Sequence, residues 1–424
     1  MKGESNSHHF VPGSLLKYFS VDGLGVRIHV FDKRRGESFT PSIENAGSKN
    51  GFNKLETPKG KWNFEHLFDG VDTQLHELLQ KMHASRSVAD LPTEIRRGWA
   101  DMVAVQPIRT PLVRSTFIES ARDMVNSIVE SGQASADAFV LPTENDSRRS
   151  TVEFLLERDG FRVALEDKDF VLFEPAGSSR FMTSDHPVVQ KSLVPYGGSG
   201  LRSPGVAVYL PLGPDLLLGL MCKSTGVSLN ARPIERLKIE PASAQALIAL
   251  REGLRTGSPI RCPDVFVDYM NSCQAANCAR FIYSHQNDFG FVQALIEQHP
   301  ELKEVKTQIQ VGRMGEGLPV AHRMPEGQWL VLFGKRSHYM IPITDWQEDS
   351  EPIEVSTEHV EALERALADA PFSEMQIFQD RQPMCMMRDV RVDILSKDGP
   401  VRLRVRYADP SMEALNEAIA RHRI

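Results

Sequence analysis

The chain has 424 residues, of which 41% are hydrophobic and 25% charged, and a formal net charge of −7. That length exceeds one ordinary core and predicts two or three folded units, while the composition excludes a disordered or fibrous chain. The acidity supplies no global positive field for nucleic acid, and five cysteines without C-x-x-C spacing exclude a disulfide scaffold or a cysteine zinc site.

The start, MKGESNSHHF, has no apolar run of the signal-peptide kind. Pro12 at a first turn, followed by Leu15, Leu16 and Phe19, predicts a short helix with His8 and His9 at its mouth. GVRIHVFDKRRGE alternates Val26, Ile28 and Val30 against Arg27, His29 and Phe31, the pattern of a half-buried strand. SFTPSIENAGSKNGFNK reads as loop. Over 64–83, Leu67, Val71, Leu75, Leu78, Leu79 and Met82 share one helical face, with Gly70 as a weak point. Helical periodicity continues over 93–134, where Pro107 and Pro111 must break or kink it, because proline lacks an amide donor and clashes with the preceding turn.

Strand patterns follow. DFVLFE and SRFMTSD read as strands joined by PAGSS, and VAVYLPLG with DLLLGLM as a hairpin around Gly213-Pro214. The second pair is too short and too interrupted to span a membrane, which needs about 20 apolar residues. No membrane association is expected, and the setting reads as cytoplasmic and reducing. SAQALIALREGLR and VDYMNSCQAANCARFIYS return to helix or mixed structure. Beyond about 310, GQWLVLFGKRSHYMIPI and RDVRVDILSKDGPVRLRVRYA are hairpin signals. Between them STEHVEALERALADA is a helix that Ser356 or Thr357 could cap, and PSMEALNEAIARHRI is a closing short helix. The fold class is therefore α+β. A core domain over 1–305 is helical to 150 and strand-rich over 160–285, on an antiparallel or mixed sheet, with a small α+β appendage over 306–424.

Four polar stretches could carry chemistry. His8 and His9 at a helix start are candidates for a base or metal ligand; the plainer reading is a cap and a solvated ring. In VQPIRTP, Gln106 and Arg109 are three apart and share a helical face, and an arginine fork suits phosphate or carboxylate, or else ties loop carbonyls. In RFMTSDHPVV a strand ends at Ser184-Asp185 before Pro187, where a carboxylate either serves a site or closes a turn. Asn271 could order a ligand or cap a helix. Phosphate-loop, dinucleotide, zincin and nucleophile-elbow motifs are absent.

In order, HHFVPGSLLKYF, VQPIRTP, FMTSDHPVV, VYLPLGPDLLLGL and the asparagine of MNSCQAANCARFIYS resemble the bacterial family called domain of unknown function 4238 over about residues 7–290. The resemblance implies a polar site at His8, with Pro12 and Phe19 in its mount, Gln106, Arg109, Ser184, Asp185, Pro187 and Asn271. His186 stands where the family most often has asparagine, and Asp72 where it has glutamate. The reading that results is a hydrolase of phosphoester bonds, nuclease-like. His8 or His9 is base or metal ligand, Asp185 its partner, and Gln106, Arg109, Ser184 and Asn271 bind substrate, with a divalent metal as candidate cofactor. His8 or His9, Arg109 and Asp185 are expected in one pocket. The alternatives are a sensor for a small anion or nucleotide, and a scaffold docking a protein partner through 310–424.

Overall fold

The computed structural model describes residues 7–130, 134–192, 200–202, 205–231, 234, 241–304, 326–333, 338–344, 346, 352–368, 372–380, 382–396 and 401–407. They form an α+β protein of two compact units, a larger one ending before about 310 and a smaller one beyond it.

In the larger unit, helix Asp69–Ser85 buries Val71, Leu75, Leu78, Leu79 and Met82, so the apolar spacing of the sequence is realised. Gly70 falls in its first turn, where it weakens nothing. Helix Thr93–Ile108 carries Pro107 in its last turn, and Pro111 opens the next helix, Pro111–Glu130. The break between them places Arg109 and Thr110 at a corner. Helix Glu144–Leu156 follows, begun by a capping box in which Thr143 and Asp146 satisfy each other's backbone amides.

Two sheets organise what the helices cover. A five-stranded sheet orders Ile260–Cys262, Asp169–Pro175, the hairpin strands Leu216–Met221 and Val206–Gly213, and Val189–Ser192, with Ile260–Cys262 running parallel to Asp169–Pro175. The hairpin is buried on both faces, which explains its unbroken apolar run. Val171, Phe173, Tyr209, Leu217, Val267 and Met270 form part of one core beneath it. A four-stranded sheet orders Glu37–Phe39, His29–Asp32, Phe281–Ser284 and Thr183–Ser184.

Several expectations are corrected here. The strands at 169–175 and 183–184 do not form a hairpin, because each finds its partners in a different sheet. Val26 is 61% exposed and Phe31 is buried, since the strand starts only at His29 and is covered on both sides. The supposed loop over 38–54 contains the end of strand Glu37–Phe39 and the whole of strand Ser48–Asn50, and strand Lys54–Thr57 begins at its last residue. His8 and His9 lie not at a helix mouth but on a strand, Ser7–His9, paired antiparallel with Ser48–Asn50. Pro12 then begins a helix of one turn, Gly13–Leu16.

The smaller unit is a closed barrel of six antiparallel strands: Gln328–Phe333, His338–Thr344, Ile353–Val355, Val401–Tyr407, Gln382–Ser396 and Phe372–Gln379 in spatial order. Both expected hairpins are present as strand pairs. Their turns at 334–337 and 397–400 lie outside the described residues, as does the expected helix over 410–424. Leu330, Leu332, Ile341, Val355, Met375 and Leu403 fill the interior, together with Leu363 of helix Val360–Leu367. Neither Ser356 nor Thr357 caps that helix by its side chain; a turn of 3-10 helix, Thr357–His359, leads into it instead.

Candidate functional site

The segment His8–His9–Phe10 is held by polar side chains from distant parts of the chain. The Asn53 amide donates to His8 Nδ1 at 2.7 Å, so the proton of the neutral ring sits on Nε2. The His9 amide donates to Glu65 Oε1 at 3.0 Å, and the Glu65 carboxylate also receives the Asn53 side-chain amide. Arg109 donates to the His9 carbonyl through Nε at 3.2 Å and Nη2 at 2.7 Å. Gln106, one helical turn earlier, donates through Nε2 to the next carbonyl, that of Phe10, at 2.7 Å. The amides of Phe10 and Val11 both donate to the Gly47 carbonyl. Gly47 has φ +63, a conformation that favours glycine, and a Cβ there would press on Val11.

Arg109 is fully buried and its fork is occupied. Besides the His9 carbonyl it grips both carboxylate oxygens of Asp72, at 2.6 and 3.0 Å, and its guanidinium lies 4.5 Å over the Phe68 ring. It ties the long helix to the His9 segment, and Gln106 ties Phe10, at the positions where the sequence left open either a phosphate clamp or a tie to loop carbonyls. Arg109 Nε and Nη2 and Gln106 Nε2 donate to the adjacent carbonyls of His9 and Phe10.

The second polar group also holds backbone. Asp185 is 1% exposed, and its two oxygens accept the amides of Ala279, Arg280 and Phe281 at 2.7–2.8 Å. Burial raises its pKa, against the lowering effect of those amides and of Lys33 nearby. Lys33 is itself buried and donates to the carbonyls of Ala275 and Cys278, at the end of helix Asp264–Asn277. Ser184 donates to Gln274 Oε1 at 2.6 Å, and Gln274 Nε2 to the Pro187 carbonyl. Asn271 is no helix cap: from mid-helix its amide accepts from Met182 and donates to the Arg180 carbonyl. These residues fasten the four-stranded sheet to that helix.

A link that sequence reasoning left aside joins the two groups. Thr110 donates its one hydroxyl proton to the Pro107 carbonyl at 2.8 Å, so it accepts from His186 Nδ1, also at 2.8 Å. The ring proton of His186 is thereby on Nδ1. Burial pushes its pKa down to about 4, so it is neutral at ordinary pH. Only its departure from the family's usual asparagine marked it beforehand.

Of the candidates, His9 alone lines a pocket described here. An open pocket of about 490 Å³ is lined by His9, Pro12, Ser14, Asp69, Asp72 and Thr73, among others. His8, Gln106, Arg109, Ser184, Asp185 and Asn271 are not among its lining residues, so the structure does not gather the whole set around it. Among the described residues no group of three or more His, Cys, Asp or Glu is placed to hold a metal ion, and the pocket's own donors do not amount to a metal cage. Nor is any described helix long and apolar enough to cross a membrane.

One protein family's sequence model matches residues 7–288, the family described as "Protein of unknown function (DUF4238)". No curated protein and no solved structure matches the chain.

Proposed function

The chain belongs to the DUF4238 family, whose description prescribes no reaction, and we propose from the site itself that it is a hydrolase of phosphoester bonds working at the His9 pocket. The observation that carries this reading is the mounting of His9. Its amide is held by Glu65 and its carbonyl by Arg109, and it lines the pocket together with Asp72, which Arg109 orients. Anchoring of the His9 backbone on both sides, by Glu65 and by the buried Arg109, fixes the segment that carries the ring, and a general base needs such placement because proton transfer requires hydrogen-bond reach and a fixed direction. His9 takes the proton from a water that attacks phosphorus, the P–O bond to the leaving group breaks as the new one forms, and the leaving oxygen takes a proton from protonated His9 or from water; the Ser14 and Thr73 hydroxyls offer hydrogen bonds to the substrate's oxygens. Asp69 and Asp72 repel a bare phosphate, which favours a singly charged diester, or a substrate that arrives with its own divalent counter-ion.

Purified protein incubated with RNA, DNA, nucleotides and a chromogenic phosphodiester, with and without divalent ions, tests the reading. Turnover that disappears in His9→Ala supports it; no turnover with any of these sinks it. A second reading, a non-catalytic sensor of a small anion or nucleotide, is favoured by the occupation of Arg109 and Asp185, which leaves few reactive groups. A ligand that raises the melting temperature without being consumed selects that one.

A further inference from the structure

The charges that line the His9 pocket do not balance. Asp72 is part of the lining, but the buried Arg109 grips both its oxygens, so that carboxylate already has its counter-charge. Asp69 is part of it too, exposed, on the first turn of helix Asp69–Ser85. Among the described residues its carboxylate has no hydrogen bond or ion pair. No lysine or arginine is among the described lining residues, and His9 as a base is uncharged. The helix start offers no anion cradle either. The 3-10 turn Glu65–Phe68 runs directly into it, and the Asp69 amide already donates to the His66 carbonyl. An acidic residue in a first turn suits the helix dipole, which would account for Asp69 on an open surface. Here it stands in the wall of a space of about 490 Å³, within the roughly 300–1,000 Å³ of small-molecule sites.

We infer that the ligand of this pocket is a zwitterionic phosphodiester, one arm of which ends in a primary ammonium group that Asp69 binds. It is the substrate if His9 is the base, the reading on which this rests. A diester carries one negative charge, and an ammonium on one arm brings the net charge to zero. The repulsion at Asp69 then becomes an attraction. The amine is primary because the described lining holds no aromatic ring. Aromatic faces recognise a trimethylammonium group, whereas a primary ammonium donates hydrogen bonds to a carboxylate. With the ammonium seated at Asp69, the other arm is the one that leaves. Water adds to phosphorus as that P–O bond breaks, His9 takes the water's proton, and the departing oxygen receives one. The products are an aminoalkyl phosphate monoester and an alcohol.

The test compares 2-aminoethyl 4-nitrophenyl phosphate with its ethyl counterpart, which keeps the leaving group and lacks the amine, both with a chelator present. The full chain is expected to favour the aminoethyl ester about tenfold in kcat/KM, as one charge-assisted hydrogen bond provides. Asp69→Asn lowers that value about tenfold and raises it for the ethyl ester, whose charge nothing at residue 69 then opposes. Should the variant fail to fold, salt reads the same contact in the wild type. The preference shrinks between about 50 and 500 mM, because exposed charges are screened. Calorimetric titration with 2-aminoethyl methylphosphonate, set against ethyl methylphosphonate, reads recognition without turnover. If neither ester is cleaved but the aminoethyl phosphonate binds more tightly, and Asp69→Asn removes the difference, the hydrolase reading falls and this inference stands. Equal turnover of the two esters overturns the inference and leaves His9 as base. It is also overturned if the preference appears only with a divalent ion, if Asp69→Asn retains it, or if the two phosphonates bind alike.

Discussion

Replacing Arg109 by methionine separates the two roles the sequence left open for it. The side chain is buried, its Asp72 partner is 32% exposed, and it carries four hydrogen bonds together with the stack on Phe68. Breaking a wholly buried pair costs about 3–5 kcal/mol; the partial exposure of Asp72 lets water recover part of that, leaving about 2. The stranded His9 carbonyl adds about 1–2 kcal/mol and the lost cation–ring contact about 1. Methionine fills part of the volume, so the expected loss is about 3–5 kcal/mol of unfolding free energy. Urea unfolding followed through Trp99, buried in the larger unit, measures it. Arg109→Lys keeps the charge but cannot span both partners, and is expected to lose about 2 kcal/mol. If Arg109→Met unfolds within about 0.5 kcal/mol of the wild type, the shift usual for surface sites, Arg109 is free for a ligand and its reading as a tie is wrong.

The adjacent histidines are expected to separate cleanly. His8→Ala strands the buried Asn53 amide and lowers stability by about 1–3 kcal/mol, whereas His9→Ala, at a half-exposed ring, shifts it by less than about 1 while removing turnover or ligand binding. Equal melting temperatures for the two variants contradict this assignment. His186 predicts a pH effect. With its pKa lowered to about 4, the folded state binds fewer protons than the unfolded state between that value and the ordinary histidine value of about 6.5. Its contribution is therefore fully present above about pH 6.5 and declines as pH falls toward 4, by up to about 3 kcal/mol. His186→Asn is expected to flatten the dependence of the urea midpoint on pH over that window, and an unchanged dependence refutes the burial argument.

What the sequence determined by itself is what depends on neighbours within a turn or two. The apolar face of Asp69–Ser85, the interruption at Pro107 and Pro111, and the hairpin at Val206–Met221 all follow from local sterics and spacing. The ordered polar residues also marked one connected part of the fold, since Gln106 and Arg109 hold residues 9 and 10, while Thr110 meets His186 beside Asp185. What they do there was legible only in three dimensions. A buried arginine and an arginine waiting for phosphate read alike, and Arg109 became a tie because Asp72, 37 residues away, and the His9 carbonyl, 100 residues away, converge on it. Asp185 likewise closes on amides 94–96 residues further on. The same holds for the sheets. Residues 169–175 and 183–184 are near in sequence but find partners in different sheets, and the barrel closes by pairing Gln328–Phe333 with Phe372–Gln379. Side-chain pattern specifies which residues become buried or polar; only the packed chain brings together the donors and acceptors that a buried charge must satisfy, and that choice of partners decides whether it supports the site or serves it.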